Sequence, residues 1–284
     1  MLGTSGVESV VAAAAPLVGQ SEGMLLVKDC LEYVTLSEIH AFLTAGFATV
    51  SGSMLQAYIA LGVDSKNIIT SCAMSIPCSL ALSKIRWPET DEPLTSDVEV
   101  MPARTDAEAN ILHAMSNGAA IGLNLALMIS ANLIAIISLV QLVDFALGWL
   151  GQFVGIASLT LEQILGYVLY PYAWLLGVPG PDVYKVSQLL GLKFVANEFV
   201  AYQRLGDTSN GQTAIRSTLT ERGRLIAELA LCGFGNLGGI AQQIGIAGTL
   251  APSRKADFSR LALSACITGS IATTITAAVV SVVV

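Results

Sequence analysis

The sequence predicts an all-α membrane protein made of inverted repeats, each a re-entrant hairpin, a broken transmembrane helix and an intact transmembrane helix. Three observations predict it. Of 284 residues, 54% are hydrophobic and 12% charged, and the mean hydropathy is +0.68. Soluble domains carry about 25% charged residues, so this composition argues against a soluble enzyme. Two polar clusters, Gln20-Ser21-Glu22 and Asn197-Glu198, each follow an apolar run too short to span a bilayer. Each is followed in turn by a long uncharged segment broken by Gly-Phe and small polar residues, at Gly46-Phe47-Ala48-Thr49 and Gly233-Phe234-Gly235-Asn236.

Met1 to Gly6 has no basic region and no cleavage signal, so it does not read as a secretory signal peptide. The chain then enters the apolar run Val10 to Val18, whose length suits a hairpin that enters the bilayer and returns on the same side. A chain that starts at a hairpin is expected to begin partway through a larger protein. Glu38 and Asp64 bracket 25 residues without a formal charge, enough for one span. Thr44, Gly46, Thr49, Ser51, Gly52 and Ser53 within it predict a broken helix. The 17 uncharged residues between Lys66 and Lys84 predict a short second span interrupted by Pro77.

Trp87 to Glu108 is acidic, contains Pro88, Pro93 and Pro102, and reads as a loop. Ala109 to Val143 lacks Asp, Glu, Lys and Arg and reads as one long tilted helix. Leu159 to Gly177 carries Tyr167, Tyr170, Tyr172 and Trp174, the aromatic density of an interfacial helix. Asp182 to Leu205 reads as the second hairpin, with Glu198 near its middle, and Gly206 to Gly223 as a polar loop. Glu228 and Arg254 bracket a second 25-residue uncharged segment, and Leu261 to Val284 forms a final span.

The organisation is therefore a first repeat at 1–86, a polar loop at 87–108, a long scaffold helix at 109–148, an interfacial region at 149–181 and a second repeat at 182–284. Aligned by order, Gly46-Phe47 falls opposite Gly233-Phe234 and Thr49 opposite Asn236. Two such units separated by one span sit upside down relative to each other, the arrangement of secondary transporters.

Ionisable groups at membrane depth are expensive, so Glu22 and Glu198 are functional candidates. The structural alternative for Glu198 is an interhelical ion pair with Lys193. With Gln20, Ser21, Asn197 and Asn236, the carboxylates suit a neutral ligand rich in hydroxyl and N–H groups. The sequence offers no phosphate loop and no nucleophile–base set. His40 and His113 are isolated, and the five cysteines lack metal-ligand spacing and read as small apolar residues. Nothing points to nucleic-acid binding.

Val18-Gly19-Gln20-Ser21-Glu22, Asn197-Glu198-Phe199-Val200-Ala201-Tyr202 and Cys232-Gly233-Phe234-Gly235-Asn236 occur in that order, with Ala251-Pro252-Ser253-Arg254-Lys255 after them. In these motifs the chain resembles the concentrative, sodium-coupled nucleoside transporters, over essentially its whole length. It looks like the C-terminal part of an animal-type member without the N-terminal helices. The resemblance implies transport of nucleosides across the plasma membrane, coupled to a sodium or proton gradient, by a homotrimer in the lipid bilayer. The other reading is a truncated, non-transporting membrane subunit. The resemblance further implies that Gln20, Ser21 and Glu22 bind the base, with Gly19 beside them in the substrate site, that Phe234 packs on the base, and that Glu198 and Asn236 hold the ribose. Sodium would lie at the Val18 carbonyl, the Thr49 hydroxyl and the Val50 carbonyl, with no further cofactor. The family commonly has a sodium-ligating Asn where Ala15 stands and a ribose-contacting Ser where Gly239 stands. Its hairpin tip carries Thr, Ala and Pro in place of Ser21, Gly23 and Met24.

Overall fold

The computed structural model describes residues 3–94, 110–153, 155–156, 159–207 and 214–283. Among these residues every regular element is helical. The first hairpin is α1 (Gly6–Val18) and α2 (Gln20–Leu25). Ser5 and Glu8 form a reciprocal capping box that starts α1. The bend falls at Gly19, whose φ is +117°. A Cβ there would lie 3.2 Å from the Ser51 Cβ, so the bend favours glycine chiefly for its conformation.

A second capping box, Thr35 with Glu38, starts α3 (Leu36–Ala48). The chain then runs extended through Thr49 and Ser51 and resumes as α4 (Gly52–Ala60). This is the predicted broken helix. The next span, α5 (Ser65–Arg86), differs from expectation, because it continues through Pro77 without interruption. Proline removes one N–H from the ladder, but neighbouring helices make that tolerable at membrane depth. Ser71, Ser75, Ser79 and Ser83 lie buried along one face of α5, where small side chains allow close helix contact.

The long helix α6 (Ile111–Phe153) runs past the charge-free stretch that ends at Val143 and past residue 148, into the segment that reads as interfacial. The aromatic segment from Leu159 to Gly177 holds two short helices, α7 (Leu161–Val168) and α8 (Tyr170–Leu175), because Pro171 starts a new helix at its first turn. The second hairpin is α9 (Val183–Val195) and α10 (Glu198–Gly206). After it come α11 (Ile215–Thr218), α12 (Glu221–Ala230), a break over residues 231–236, α13 (Leu237–Leu250) and α14 (Lys255–Val283). The final helix starts before Leu261, with Lys255, Asp257 and Arg260 in its first turns. Much of the acidic loop 87–108 and residues 208–213 lie outside the described residues, and the segment from Gly206 to Gly223, expected as a polar loop, contains α11 and the start of α12.

The body is assembled around α14, which packs on α3, α5 and α12. A Cβ on Gly269 would lie 2.8 Å from the Thr44 carbonyl oxygen, so α14 approaches α3 closely there. The Ala48 carbonyl, left without an intrahelical donor at the end of α3, accepts a hydrogen bond from Thr273 Oγ1 at 3.0 Å. Two buried carboxylates meet cations: Lys84 Nζ lies 2.5 Å from Glu8 Oε1, and Glu228 accepts from Asn67 Nδ2 at 2.7 Å beside Arg216. His40 is buried, its ring nitrogens within hydrogen-bond reach of the Ser83 and Ser264 hydroxyls. The five cysteines are free thiols, and Cys72 and Cys232 touch across the two repeats with Sγ atoms 3.6 Å apart.

Candidate functional site

The two hairpin tips and the two breaks meet at a cavity of about 320 Å³. Gly19, Gln20, Ser21, Glu22, Glu198, Phe234 and Asn236, the seven positions picked out for ligand contact, all line it. The breaks are joined through the main chain, since Phe234 N donates to the Thr49 carbonyl at 3.2 Å. Gly233 makes that contact possible with φ +152°, and a Cβ on it would lie 2.9 Å from the Phe47 carbonyl oxygen.

Glu198 stands at the first position of α10, where a helix N-terminus favours a carboxylate. It is buried, and both oxygens are occupied from other elements. Tyr58 Oη of α4 donates to Oε1 at 3.0 Å, and Asn236 Nδ2 donates to Oε2 at 3.1 Å. Asn236 is itself oriented by capping α13, its Oδ1 accepting from Gly239 N at 2.7 Å. Asn197 caps α10 in the same way, accepting from Val200 N at 2.8 Å. Its Nδ2 is buried with no hydrogen-bond partner among the described residues, which leaves a donor beside the cavity. Lys193 is also fully buried, but its Nζ donates to the Ala230 carbonyl at 2.9 Å rather than to Glu198.

At the opposite wall, Gln20 and Ser21 are buried while Glu22 is exposed. Two residues that sequence reasoning did not single out hold this tip. Gln242 Nε2 donates to Ser21 Oγ at 2.9 Å, and Gln243 Nε2 lies 3.4 Å from both the Gln20 carbonyl and Gln20 Oε1. Tyr58 was likewise missed. Their signal in the sequence is weak: a polar residue in an apolar helix acquires a partner only once a distant segment is packed against it.

Thr49 and Asn236 do not correspond in the fold as their alignment predicts. Thr49 closes α3, whereas Asn236 opens α13; the residue that opens the first repeat's half-helix is Ser51. The second break begins before its Gly-Phe pair, and the first begins after it.

The expected cation ligands lie where α1 ends against the first break. Thr49 and Val50 are buried, and Val18 is part exposed. A Cβ on Gly52 would lie 2.9 Å from the Leu17 carbonyl oxygen, so the carbonyl end of α1 points at the break. A helix C-terminus and unwound carbonyls are the usual setting for a small cation in such folds. Thr49 Oγ1 donates to the Ala45 carbonyl at 3.0 Å, leaving its lone pairs available, while buried Ala15 adds no side-chain oxygen.

An apolar helical body in which two hairpins and two broken helices enclose a polar cavity has the architecture of the inverted-repeat class of membrane transporters. This chain belongs to the sodium-dependent nucleoside transporter family: the family model for the C-terminus of Na+-dependent nucleoside transporters matches residues 67–281. Solute carrier family 28 member 3 of Mus musculus is 39% identical over 289 residues, 99% of this chain and 41% of that protein. Sodium/nucleoside cotransporter 1 of Rattus norvegicus is 39% identical over 290 residues, 99% of this chain and 45% of that protein. Of solved structures, CNTnw in an inward-facing substrate-bound state is 33% identical with a TM-score of 0.83, over 99% of this chain and 65% of that one. A substituted CNTnw in an outward-facing state is 34% identical with a TM-score of 0.87, over 99% and 66%. The chain thus spans under half the length of these curated relatives and just under two thirds of the solved chains.

Proposed function

We propose that this chain carries nucleosides across the plasma membrane by alternating access, driven by a sodium or proton gradient, as a multi-pass protein assembled into a homotrimer. Residues 1–86 and 182–284 act as the two repeats. The loop at 87–108, the scaffold helix at 109–148 and the interfacial region at 149–181 connect and support them. Glu198 and Asn236 hold the ribose hydroxyls, with the Asn197 amide as a further donor. Gln20, Ser21 and Glu22 bind the base at the bend formed by Gly19, and Phe234 packs on it. Sodium occupies the Val18 carbonyl, Thr49 hydroxyl and Val50 carbonyl.

The observation that carries this reading is the Tyr58–Glu198–Asn236 bridge, which sets a buried carboxylate facing a cavity between two repeats. A carboxylate shielded from water binds ligand hydroxyls strongly. The relatives named as sodium/nucleoside cotransporters support both the substrate class and the coupling ion. Uptake of uridine and adenosine by cells expressing the chain, in sodium and then in choline, tests it. Saturable uptake that collapses in choline is the expected result. Absence of uptake, with the protein present at the membrane, would overturn the reading for this chain.

A further inference from the structure

We propose that Gln242 is a specificity-determining residue, whose carboxamide oxygen accepts a hydrogen bond from an N–H on the polar edge of the ligand's base. The inference rests on the nucleoside reading above and extends it to a residue outside the motifs that carry the resemblance.

Three observations support it. Gly238, Gly239 and Gln242 are the residues that α13 presents to the cavity, and only Gln242 brings a polar side chain. A Cβ at Gly239 would lie 2.5 Å from the Phe234 carbonyl oxygen, so that position has no room for a side chain that could take over the task. Gln242 is also held in place: its Nε2 donates to Ser21 Oγ at 2.9 Å, across 221 residues of sequence and between the two repeats. A carboxamide tethered by its nitrogen has its orientation set, and its oxygen remains to accept. Gln242 Oε1 makes no hydrogen bond among the described residues and is not buried away from the cavity.

Gln243 completes the arrangement. Its Nε2 lies within hydrogen-bond reach of Gln20 Oε1, which leaves Gln20 Nε2 as a donor at the same wall. The tip of the first hairpin and α13 together therefore offer a donor and an acceptor to the same cavity. The matching ligand edge has an acceptor beside an N–H donor, as the imide of uracil and the N1/amino edge of adenine do. A site built to pair with such an edge discriminates strongly against an analogue that lacks the N–H, because its own polar group is then left unpaired.

Isothermal titration of the purified full chain with uridine, 3-methyluridine, adenosine and N6,N6-dimethyladenosine tests the proposal, in wild type, Gln242→Met and Gln242→Glu. Gln242→Met is expected to raise the Kd of both parent nucleosides about tenfold and to change that of the methylated analogues less than about threefold. Gln242→Glu keeps an acceptor at this wall and is expected to keep the preference for the parent over the methylated form. Where Gln242→Met does not fold, Gln242→Leu takes its place. An unchanged preference in the apolar variant overturns the inference. So does its equal loss in both variants, which would make Gln242 a strut for Ser21 only. Wild type that binds neither parent would instead overturn the nucleoside reading on which the inference stands.

Discussion

Tyr58 of the first repeat donates its hydroxyl hydrogen to Glu198 of the second at 3.0 Å, with both residues buried and 140 positions apart. Tyr58 sits on the half-helix after the first break, and Glu198 at the tip of the second hairpin. The contact therefore joins the two repeats at the cavity wall. It leaves the Glu198 carboxylate oriented by two neutral donors and facing ligand space. Removing the Tyr58 donor by Tyr58→Phe should weaken nucleoside binding by about three- to tenfold, in line with about 1 kcal/mol for one such bond. A titration showing an unchanged Kd would mean that Asn236 alone orients the carboxylate.

Glu198→Gln keeps the shape of the side chain and removes its charge, and with it the charge-assisted bond to a ligand hydroxyl. Nucleoside binding and uptake should fall, and no chemically altered nucleoside should appear in the medium. Chromatography that detected a reaction product would favour a membrane-embedded enzyme instead.

Gly233 carries φ +152° at the second break, and its missing Cβ leaves space beside the Phe47 carbonyl and Thr273 Oγ1. Gly233→Ala forces a side chain into both constraints and should destabilise the chain by about 1–3 kcal/mol. A drop in melting temperature of the detergent-purified protein checks this. Gly118, around which a Cβ would meet open space, is the comparison site, and Ala there should leave the melting temperature nearly unchanged.

Glu8 and Lys84 pair between the start of α1 and the end of α5, and the Glu8 side chain is fully buried. Lys84→Met should cost about 3–5 kcal/mol by leaving that carboxylate buried without its cation. Adding Glu8→Gln should recover much of the loss, because it removes the stranded charge. If the two effects simply add, the residues are not coupled.

Ala15→Asn supplies a side-chain oxygen near the end of α1. If sodium binds there, the sodium concentration giving half-maximal uptake should fall severalfold in the variant. Identical sodium curves would place the coupling ion elsewhere.

The hairpins and broken helices were legible because each has a local cause. Charge-free runs of fixed length set the spans, Gly19 and Gly233 set sharp bends, and Asn197 and Asn236 cap the helices that follow them. Helix limits were less legible. Pro77 reads as a stop when taken alone, yet helical packing carries α5 through it, and Pro171 divides a segment that reads as one helix.

By itself the sequence determined that this is a membrane protein of two repeated units, and it supplied the carboxylates and amides of the cavity. Those properties follow from composition, spacing and local backbone preference. Only the tertiary structure decided which polar group meets which. Tyr58 found Glu198, Gln242 found Ser21, and Lys193 turned to the Ala230 carbonyl instead of the nearby carboxylate. Partners separated by as many as 225 residues leave no local signal, because a buried polar atom takes whichever complementary atom the packing brings within reach.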